Sequence, residues 1–366
     1  MSCHIEKSNK LKSILWEQRE ISRQRLIKLS GMNPRTVSKC MKELAERQLI
    51  SITDRTDGQG RPSQYYKLRM KTLRLLHFTV TRQEIYAIVC DLRQFPLCLI
   101  REDFPQDLWQ DKHPELLNAK LKSLAAEVLE SAVMHNGFII AACLEFMLPQ
   151  QPPERVRQRW SDTLANILQC DCPVFNVDAV LLSQYQVNNH LDGRIIGISY
   201  REDIQCVAVE SGHISESLQL RAEKVLDEAG MKNMSFANFI REFHRDALNR
   251  LQDFEAEDFY NVVCTRAIGG DGYSESLLRG YGTFLGKLFV KLAENLKPEY
   301  LVLMHPRQIV CDGVQEAIGQ MELPCRILPV NFSSNEFILA PGGYLRRGLM
   351  KFEHGRYFDR QRIPRS

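Results

Sequence analysis

The feature that most constrains the fold lies near the N-terminus, where one amphipathic helix pattern leads through a glycine into a second. Ser22 is a predicted N-cap of the first helix, and Gly31 stands where that helix should stop. The second helix is predicted to open at Asn33, with Pro34 in its first turn, and to run to about Gln48. Its apolar residues recur at helical spacing, namely at Val37, Met41 and Leu44. Two helices joined in this way are typical of a DNA-binding helix-turn-helix, although two helices of an ordinary core give the same pattern.

A predicted β-hairpin follows the two helices. The run "LISITDRTDGQGRPSQYYKLRM" predicts two strands around a turn that contains Gly58 and Gly60, and Arg61 follows at its tip. An amphipathic helix from Lys7 to Arg19 precedes the pair. Together these elements predict a winged helix-turn-helix over residues 1–72. The side chains expected to contact DNA phosphates or base edges are those of Ser22, Arg23, Arg35, Thr36, Ser38, Lys39, Lys42 and Arg61.

The formal net charge of +3 is divided unevenly along the chain. Residues 1–74 hold 17 Lys and Arg against 7 Asp and Glu, a balance of +10, which leaves 31 against 38, a balance of −7, for residues 75–366. A basic N-terminal module on an acidic remainder predicts that only the first part meets a polyanion such as DNA. From charge alone, a solvated basic face without a partner is the alternative.

Composition bounds the class of protein. A chain of 366 residues with 44% hydrophobic content can bury a core and should hold two or three domains. It has no apolar stretch of about 20 residues that could cross a bilayer, and its first residues are too polar for a secretory signal. We therefore expect a cytoplasmic protein without membrane contact. The 11 cysteines are scattered without C-x-x-C spacing, which predicts buried reduced thiols.

Residues 73–366 alternate predicted strands and helices. Three apolar runs predict a meander, and a helix near residues 114–135, the strand "GFIIAACLEF", the helix "ERVRQRWSDTLANIL" and the strand "CPVFNV" follow. A second set begins with the predicted hairpin "RIIGISY" and "IQCVAVE" and continues with helices within 215–251 and 274–296. The strands "EYLVLM" and "CRILPV" come last. This order predicts an α/β domain with two lobes around a cleft.

Several motifs, taken in order, resemble the ROK family of bacterial sugar-responsive repressors and sugar kinases. As in the family's repressors, the N-terminal module has ISR at 21–23, TVS at 36–38, EL at 43–44, LI at 49–50 and GRP at 60–62. Further on, "CDLRQFPL" resembles the family's second strand and turn, "LKPEYLVLM" its entry to a late strand, and "APGGYLRRGLMKF" its closing helix. The resemblance covers nearly the whole chain.

The resemblance implies an actin-like, ribonuclease H-like fold for residues 73–366, with lobes at 73–185 and 186–345 and a closing helix at 340–356. It also implies a sequence-specific transcriptional regulator, a repressor of carbohydrate-related genes. Such a regulator binds a double-stranded DNA operator as a homodimer or homotetramer, and a sugar or sugar phosphate is its expected effector.

Three departures from the family pattern bear on chemistry. "FTVTRQEIY" stands where a sugar kinase needs a glycine-rich turn whose backbone N–H groups reach ATP phosphates, so we expect neither kinase activity nor a cofactor. Residues 214–260 have no cysteine, which leaves His213 as a predicted turn residue and predicts no structural zinc. Asp178 keeps the place of a sugar contact, but Val177 replaces the family's paired Asn, and Asp178 could equally be a helix N-cap.

Two other functions stay open beside the sugar-responsive regulator. One is an effector-independent repressor whose large domain only oligomerises, which the lost sugar and zinc residues favour. The other is a sugar kinase with a regulatory head, and the missing glycine-rich turn argues against it.

Overall fold

The structure is a computed structural model. It describes residues 10–11, 14–15, 18, 20–46, 49–55, 62–81, 83–103, 114–135, 137–147, 152–200, 204–231, 234–246, 259–319 and 323–351. The chain divides into two compact units. The first is drawn from Met1–Phe146, Pro152–Phe175 and Pro341–Ser366, and the second from Met147–Gln151 and Asn176–Ala340. Among the described helices, none is long and apolar enough to cross a lipid bilayer.

The first unit begins with two helices and a small sheet. Its elements in chain order are β1 (Glu20–Ser22), α1 (Arg23–Ser30), α2 (Pro34–Glu46), β2 (Ile50–Arg55) and β3 (Ser63–Leu68). Strand β3 lies in the centre of the order β1-β3-β2, and both of its neighbours are antiparallel to it. The order of helix, turn, helix and hairpin is the predicted one.

Strand β1 was not predicted from the sequence: Glu20, near which the first helix was expected to end, begins this strand and pairs with Lys67 on β3. Helix α2 is described as far as Glu46, and its predicted end near Gln48 lies outside the described residues. The described part of the predicted first helix is helical at Leu11 and Leu15, and both side chains are fully buried.

A five-stranded sheet forms the rest of the first unit. Its strands are β4 (Leu73–Val80), β5 (Glu84–Asp91), β6 (Pro96–Asp103), β7 (Phe138–Phe146) and β8 (Val174–Asn176), in the order β6-β5-β4-β7-β8. The first three strands are the predicted antiparallel meander, and β7 runs parallel to β4. Helices α3 (Pro114–Glu130) and α4 (Glu154–Leu168) lie in the connections, whereas β8 is shorter than its predicted run.

The second unit has its own five-stranded sheet. The strands are β9 (Arg194–Ser199), β10 (Gln205–Glu210), β11 (His213–Ile214), β12 (Tyr300–Met304) and β13 (Arg326–Val330), in the order β11-β10-β9-β12-β13. The predicted β9–β10 hairpin is confirmed, and β12 runs parallel to both β9 and β13. The helices are α5 (Val177–Asn188), α6 (Glu216–Glu228), α7 (Phe236–Phe243), α8 (Phe259–Ile268), α9 (Gly272–Leu296), α10 (Gln308–Ile318) and α11 (Ser334–Lys351).

Helix α11 begins earlier than the closing helix predicted at 340–356. It starts at Ser334 and contains Pro341 at the position where the chain passes from the second unit to the first. Ser333 and Glu336 form a capping box at its start: the Ser333 backbone N–H donates to Glu336 Oε2 at 2.7 Å, and the Glu336 N–H donates to Ser333 Oγ at 3.3 Å. This cap explains the earlier start.

Helices α9 and α10 approach each other through glycines. A Cβ atom added at Gly282 of α9 would lie 2.3 Å from the Val310 carbonyl oxygen, and one at Gly313 of α10 would lie 2.1 Å from the Arg279 carbonyl oxygen. Since real Cβ atoms do not come this close to backbone, any side chain would push the two helices apart. The two helices can therefore cross at this short distance only because Gly282 and Gly313 have no side chains.

The core of the N-terminal region is continuous with the large sheet of the first unit. Leu26, Val37 and Met41 belong to one buried apolar cluster with Leu75 of β4 and Leu345 of α11. Only four residues separate β3 from β4, and the Arg74 guanidinium donates to the Lys71 carbonyl oxygen at 2.7 Å in this connection. The N-terminal helices and small sheet therefore share a core with the large sheet within this unit.

Candidate nucleic-acid interface

Helix α1 begins with a side-chain cap. Ser22 has extended backbone (φ −71°, ψ 150°), and its Oγ accepts the Arg25 backbone N–H at 3.4 Å. The predicted N-cap is thus confirmed. The first turn of α1 holds no acidic residue, Arg25 is exposed and Arg23 is half-buried. This helix end is positively polarised and flanked by cations, which are the features that favour a phosphate.

The turn between α1 and α2 depends on Gly31. Its φ of 66° and ψ of 18° lie in the left-handed region, and its N–H donates to the Ile27 carbonyl oxygen at 3.0 Å. Ser30 Oγ donates to the same carbonyl oxygen and accepts the Met32 N–H. These bonds terminate α1 and let α2 start three residues later.

Helix α2 presents a basic stripe opposite its buried face. Asn33 Oδ1 accepts the Arg35 backbone N–H at 2.8 Å, which confirms Asn33 as the N-cap. Arg35, Lys39 and Lys42 are exposed and follow one another at i, i+4 and i+7, so they share one stripe of the helix. The buried side chains occupy the other side, namely Val37, Cys40, Met41 and Leu44.

The other two predicted contacts on α2 flank this stripe. Thr36 and Ser38 are half-buried, one on each side. The Ser38 hydroxyl donates to the Pro34 carbonyl oxygen at 2.9 Å, so only its oxygen lone pairs are left for a ligand. Lys42 Nζ lies 3.9 Å from Glu46 Oε1, an exposed pair that contributes little to stability.

One further cation of the N-terminal region, Arg55, lies on the small sheet. Arg55 ends β2 opposite Ser63 of β3, and its guanidinium donates to Glu20 Oε1 at 2.6 Å. Arg55 was not among the predicted contacts, although its place at the end of a predicted wing strand was a signal for it. The predicted contact Arg61 and the glycine-rich turn lie outside the described residues.

The candidate effector residue Asp178 lies in the first turn of α5. The N-cap of that helix is Asn176, whose Oδ1 accepts the Asp178 backbone N–H at 2.8 Å and whose Nδ2 donates to Gln205 Oε1 at 2.9 Å. The alternative interpretation of Asp178 as the N-cap is therefore wrong, because the helix starts at Val177, two residues earlier than that interpretation requires. Asp178 is half-buried, and Val177 beside it is buried.

The β4–β5 turn stands where a kinase of the resembled family holds ATP phosphates. Thr81 Oγ1 accepts the backbone N–H groups of Gln83 and Glu84 at 3.3 and 3.1 Å, and its hydroxyl lies 3.1 Å from the Glu84 carbonyl oxygen. Both N–H groups are thus occupied within the turn. The Glu84 carboxylate of the same turn pairs with Arg101, so this pair offers a phosphate no net positive charge. This local chemistry disfavours a phosphate.

His213 does not lie in the turn as predicted but begins β11, where it pairs with Glu210 of β10. The turn itself falls one residue earlier, at Ser211 and Gly212, both of which have positive φ. The described residues contain no group of three or more His, Cys, Asp or Glu side chains arranged to hold a metal ion.

Comparison with solved structures identifies the fold of this chain, whereas comparison of sequences finds no relative. No family model and no curated protein matches the sequence. Among solved structures, a ROK family transcriptional regulator, a homologue of the E. coli MLC protein, matches with a TM-score of 0.67 at 14% identity, over 95% of this chain and 96% of its own.

Sugar-binding proteins match over a smaller share of the chain. A ROK family protein from Streptococcus pneumoniae in complex with sucrose has a TM-score of 0.53 at 12% identity, over 75% of this chain and 98% of its own. A ROK family glucokinase from Streptomyces griseus in complex with glucose and AMPPNP has a TM-score of 0.50 at 10% identity, over 75% of this chain and 100% of its own. Identities this low show architecture alone, and the architecture they show is the actin-like ROK fold.

Proposed function

We propose that this protein is a sequence-specific DNA-binding transcriptional regulator, a repressor of carbohydrate-related genes. The observation that carries the proposal is the stripe of Arg35, Lys39 and Lys42 on α2, exposed opposite a buried face in a helix-turn-helix. The module that holds it carries a balance of +10. Support also comes from the regulator match, which extends over 95% of the chain, whereas the glucokinase match extends over 75%.

In the proposed complex α2 enters the major groove with its N-terminal end. Arg35 at this end donates to base edges, since a guanidinium matches the two acceptors of guanine. Thr36 and Lys39 contact the adjacent bases or phosphates. Ser38 accepts a hydrogen bond rather than donating one, because its proton is directed at Pro34. Lys42 contacts the backbone further along the groove.

Phosphate contacts position the module on the duplex. Ser22 and Arg23 at the start of α1 meet one phosphate, where the helix dipole favours an anion. Arg61 follows the wing glycines and forms part of the proposal as a minor-groove or phosphate contact. The division of the chain into a DNA-binding domain at 1–72 and an effector and oligomerisation domain at 73–366 belongs to the same proposal.

The large domain sets the spacing of two or more DNA-binding modules. A homodimer or homotetramer would align them on half-sites about one or more helical turns apart. A sugar or sugar phosphate that contacts Asp178 would change operator affinity only as far as it prefers one arrangement of the modules. An effector-independent repressor is the alternative, since Val177 stands beside Asp178 where the family pairs an Asn, and Asn176 is already bonded to Gln205.

We propose no kinase activity. In the described part of the β4–β5 turn, the backbone N–H groups of Gln83 and Glu84 are bonded to Thr81 and are not offered to a phosphate. Thr81, Gln83 and Glu84 also carry side chains where a phosphate cradle needs glycine. A coupled assay of ADP release over a panel of hexoses and amino sugars should show no sugar-dependent turnover.

The direct test is selection of genomic DNA fragments by the purified protein, with and without the same sugar panel. We expect recovery of a small set of fragments that share a palindromic site. A sugar effector should release these fragments, and at a hundred times its dissociation constant it should raise the unfolding free energy by about 2.7 kcal/mol. Recovery of random fragments, or robust sugar phosphorylation, would overturn the proposal.

A further inference from the structure

One ion pair crosses the small sheet of the N-terminal region. Arg55 lies on β2 and Glu20 on β1, the two strands that flank β3. The guanidinium of Arg55 reaches Glu20 Oε1 at 2.6 Å, and its central carbon lies 5.0 Å from the centre of the Tyr65 ring. The Arg55 side chain therefore spans the central strand, with Tyr65 beneath it. We call these three residues the clamp.

The register of the sheet places the clamp on the face opposite the core. Ile21 pairs with Tyr66, and both are buried. Since successive side chains alternate between the two faces of a strand, Glu20 and Tyr65 point to the other face. The clamp is partly open to solvent, with Arg55 exposed to 48% and Glu20 to 28%. It therefore contributes little to global stability.

The ends of the clamp coincide with the two elements that should touch DNA. Glu20 lies two residues before Ser22, the cap from which α1 starts. Arg55 is the last residue of β2, where the chain leaves for the wing turn. The clamp thus fixes the base of the wing relative to the start of the helix-turn-helix. A cation–π contact and a charge-assisted hydrogen bond both restrict the guanidinium to one orientation.

We propose that Arg55 is a positioning residue for DNA binding, which acts through Glu20 and not by contact with a phosphate. This inference rests on the proposed DNA-binding function. In the absence of the clamp, the end of β2 and the start of α1 lose a contact that orients them, and the cost of ordering them falls on the binding step. The loss should affect specific more than non-specific binding, because only the specific complex needs both elements in register.

The two roles of Arg55 give opposite results for Glu20→Gln. If Arg55 contacts phosphate directly, removing the competing carboxylate frees the cation and removes a negative charge, so binding should strengthen. If Arg55 positions the wing, Glu20→Gln should weaken specific binding about fivefold, the equivalent of about 1 kcal/mol for an exposed ion pair. Asp54→Asn is the matched control, because it removes a carboxylate of the same small sheet, next to Arg55 on β2 but outside the clamp.

The experiment measures binding of the full-length protein to a selected DNA fragment at several salt concentrations. Glu20→Gln and Arg55→Gln should each weaken specific binding about fivefold with the salt slope of the unmodified protein, whereas removal of a phosphate-binding cation lowers the slope by about 0.9. The double variant E20R/R55E exchanges the charges and should restore affinity. Thermal denaturation checks that every variant remains folded.

The outcomes separate this inference from the proposed function. If the unmodified protein selects no DNA, the proposed function fails. If it selects DNA but Glu20→Gln binds as tightly as Asp54→Asn, or if the charge exchange does not restore binding, the positioning role is wrong. Restoration by E20R/R55E with an unchanged salt slope supports it.

Discussion

His77 on β4 and Glu145 on β7 lie side by side in the interior, with His77 Nδ1 4.0 Å from Glu145 Oε1. Both side chains are completely buried. Among the described residues, neither His77 nitrogen nor Glu145 Oε2 has a hydrogen-bond partner, and Cys143 Sγ lies 3.9 Å from Glu145 Oε1. Burial lowers the pKa of His77 to about 3 and raises the pKa of Glu145 well above its usual value. Burial therefore favours the uncharged form of both groups.

This pair should make stability depend on pH in a defined direction. Because the pKa of Glu145 is raised in the folded state, its contribution is greatest below pH 4.5 and is lost as pH rises towards the folded-state value. The lowered pKa of His77 acts oppositely, since the unfolded chain takes up a proton below about pH 6.5. Above pH 6.5, the pH dependence of stability that this pair causes therefore comes from Glu145.

The variant Glu145→Gln isolates this contribution. Its unfolding free energy, relative to that of the unmodified protein, should rise with pH above 6.5 by up to about 1.4 kcal/mol per pH unit, as long as the pH stays below the raised pKa of Glu145. Urea denaturation at several pH values measures the difference. Glu130→Gln, which changes an exposed carboxylate on α3, is the control and should follow the unmodified protein. Parallel curves for all three proteins would mean that Glu145 is ionised when folded.

Substitution of Gly31 should lower the stability of the protein because of the backbone conformation at this position alone. A Cβ atom there would meet nothing within 4 Å, so Gly31→Ala should cost the left-handed strain of about 1–2 kcal/mol without any clash. Gly31→Asn should recover part of the loss, since Asn tolerates this conformation better. Thermal denaturation compares the two variants. Equal stability of the alanine variant and the unmodified protein would show that the turn is not held at positive φ.

Substitution of Gly313 should lower stability because of a steric clash and not because of its backbone conformation. Alanine there would force the α9–α10 backbones apart, and we expect a loss of about 3 kcal/mol or more, the upper range for overpacking. Gly272→Ala is the matched control, because Gly272 begins α9 and a Cβ atom there meets nothing within 4 Å. It should be neutral or slightly stabilising. Chemical denaturation that found both variants equally stable would contradict the close helix crossing.

Local signals in the sequence predicted the helix-turn-helix. The Ser22 and Asn33 caps, the Gly31 stop and the apolar spacing of α2 each depend on neighbours within a few residues. Strand β1 escaped prediction because it is three residues long and exists only through pairing with β3, more than 40 positions later. Long-range pairing of this kind leaves no periodic pattern in the strand itself.

The buried pair and the effector region escaped prediction for related reasons. His77 and Glu145 come together only because β4 and β7 pair in parallel, and nothing local marks either residue. Asn176 and Asp178 are both good capping residues, and the start of α5 decides between them. Fold class followed from the order of elements, whereas these side-chain partnerships depend on tertiary packing.

The central claim is that the exposed stripe of α2 binds DNA. Fluorescence anisotropy on a selected fragment should compare the unmodified protein, the double variant Arg35→Ala and Lys39→Ala, and Lys224→Ala, which removes an exposed cation from α6. We predict that the double variant binds at least tenfold more weakly and that its salt slope falls by about 0.9 for each phosphate that is no longer neutralised, with Lys224→Ala unchanged. A double variant that binds the fragment as tightly and as selectively as the unmodified protein would contradict the claim.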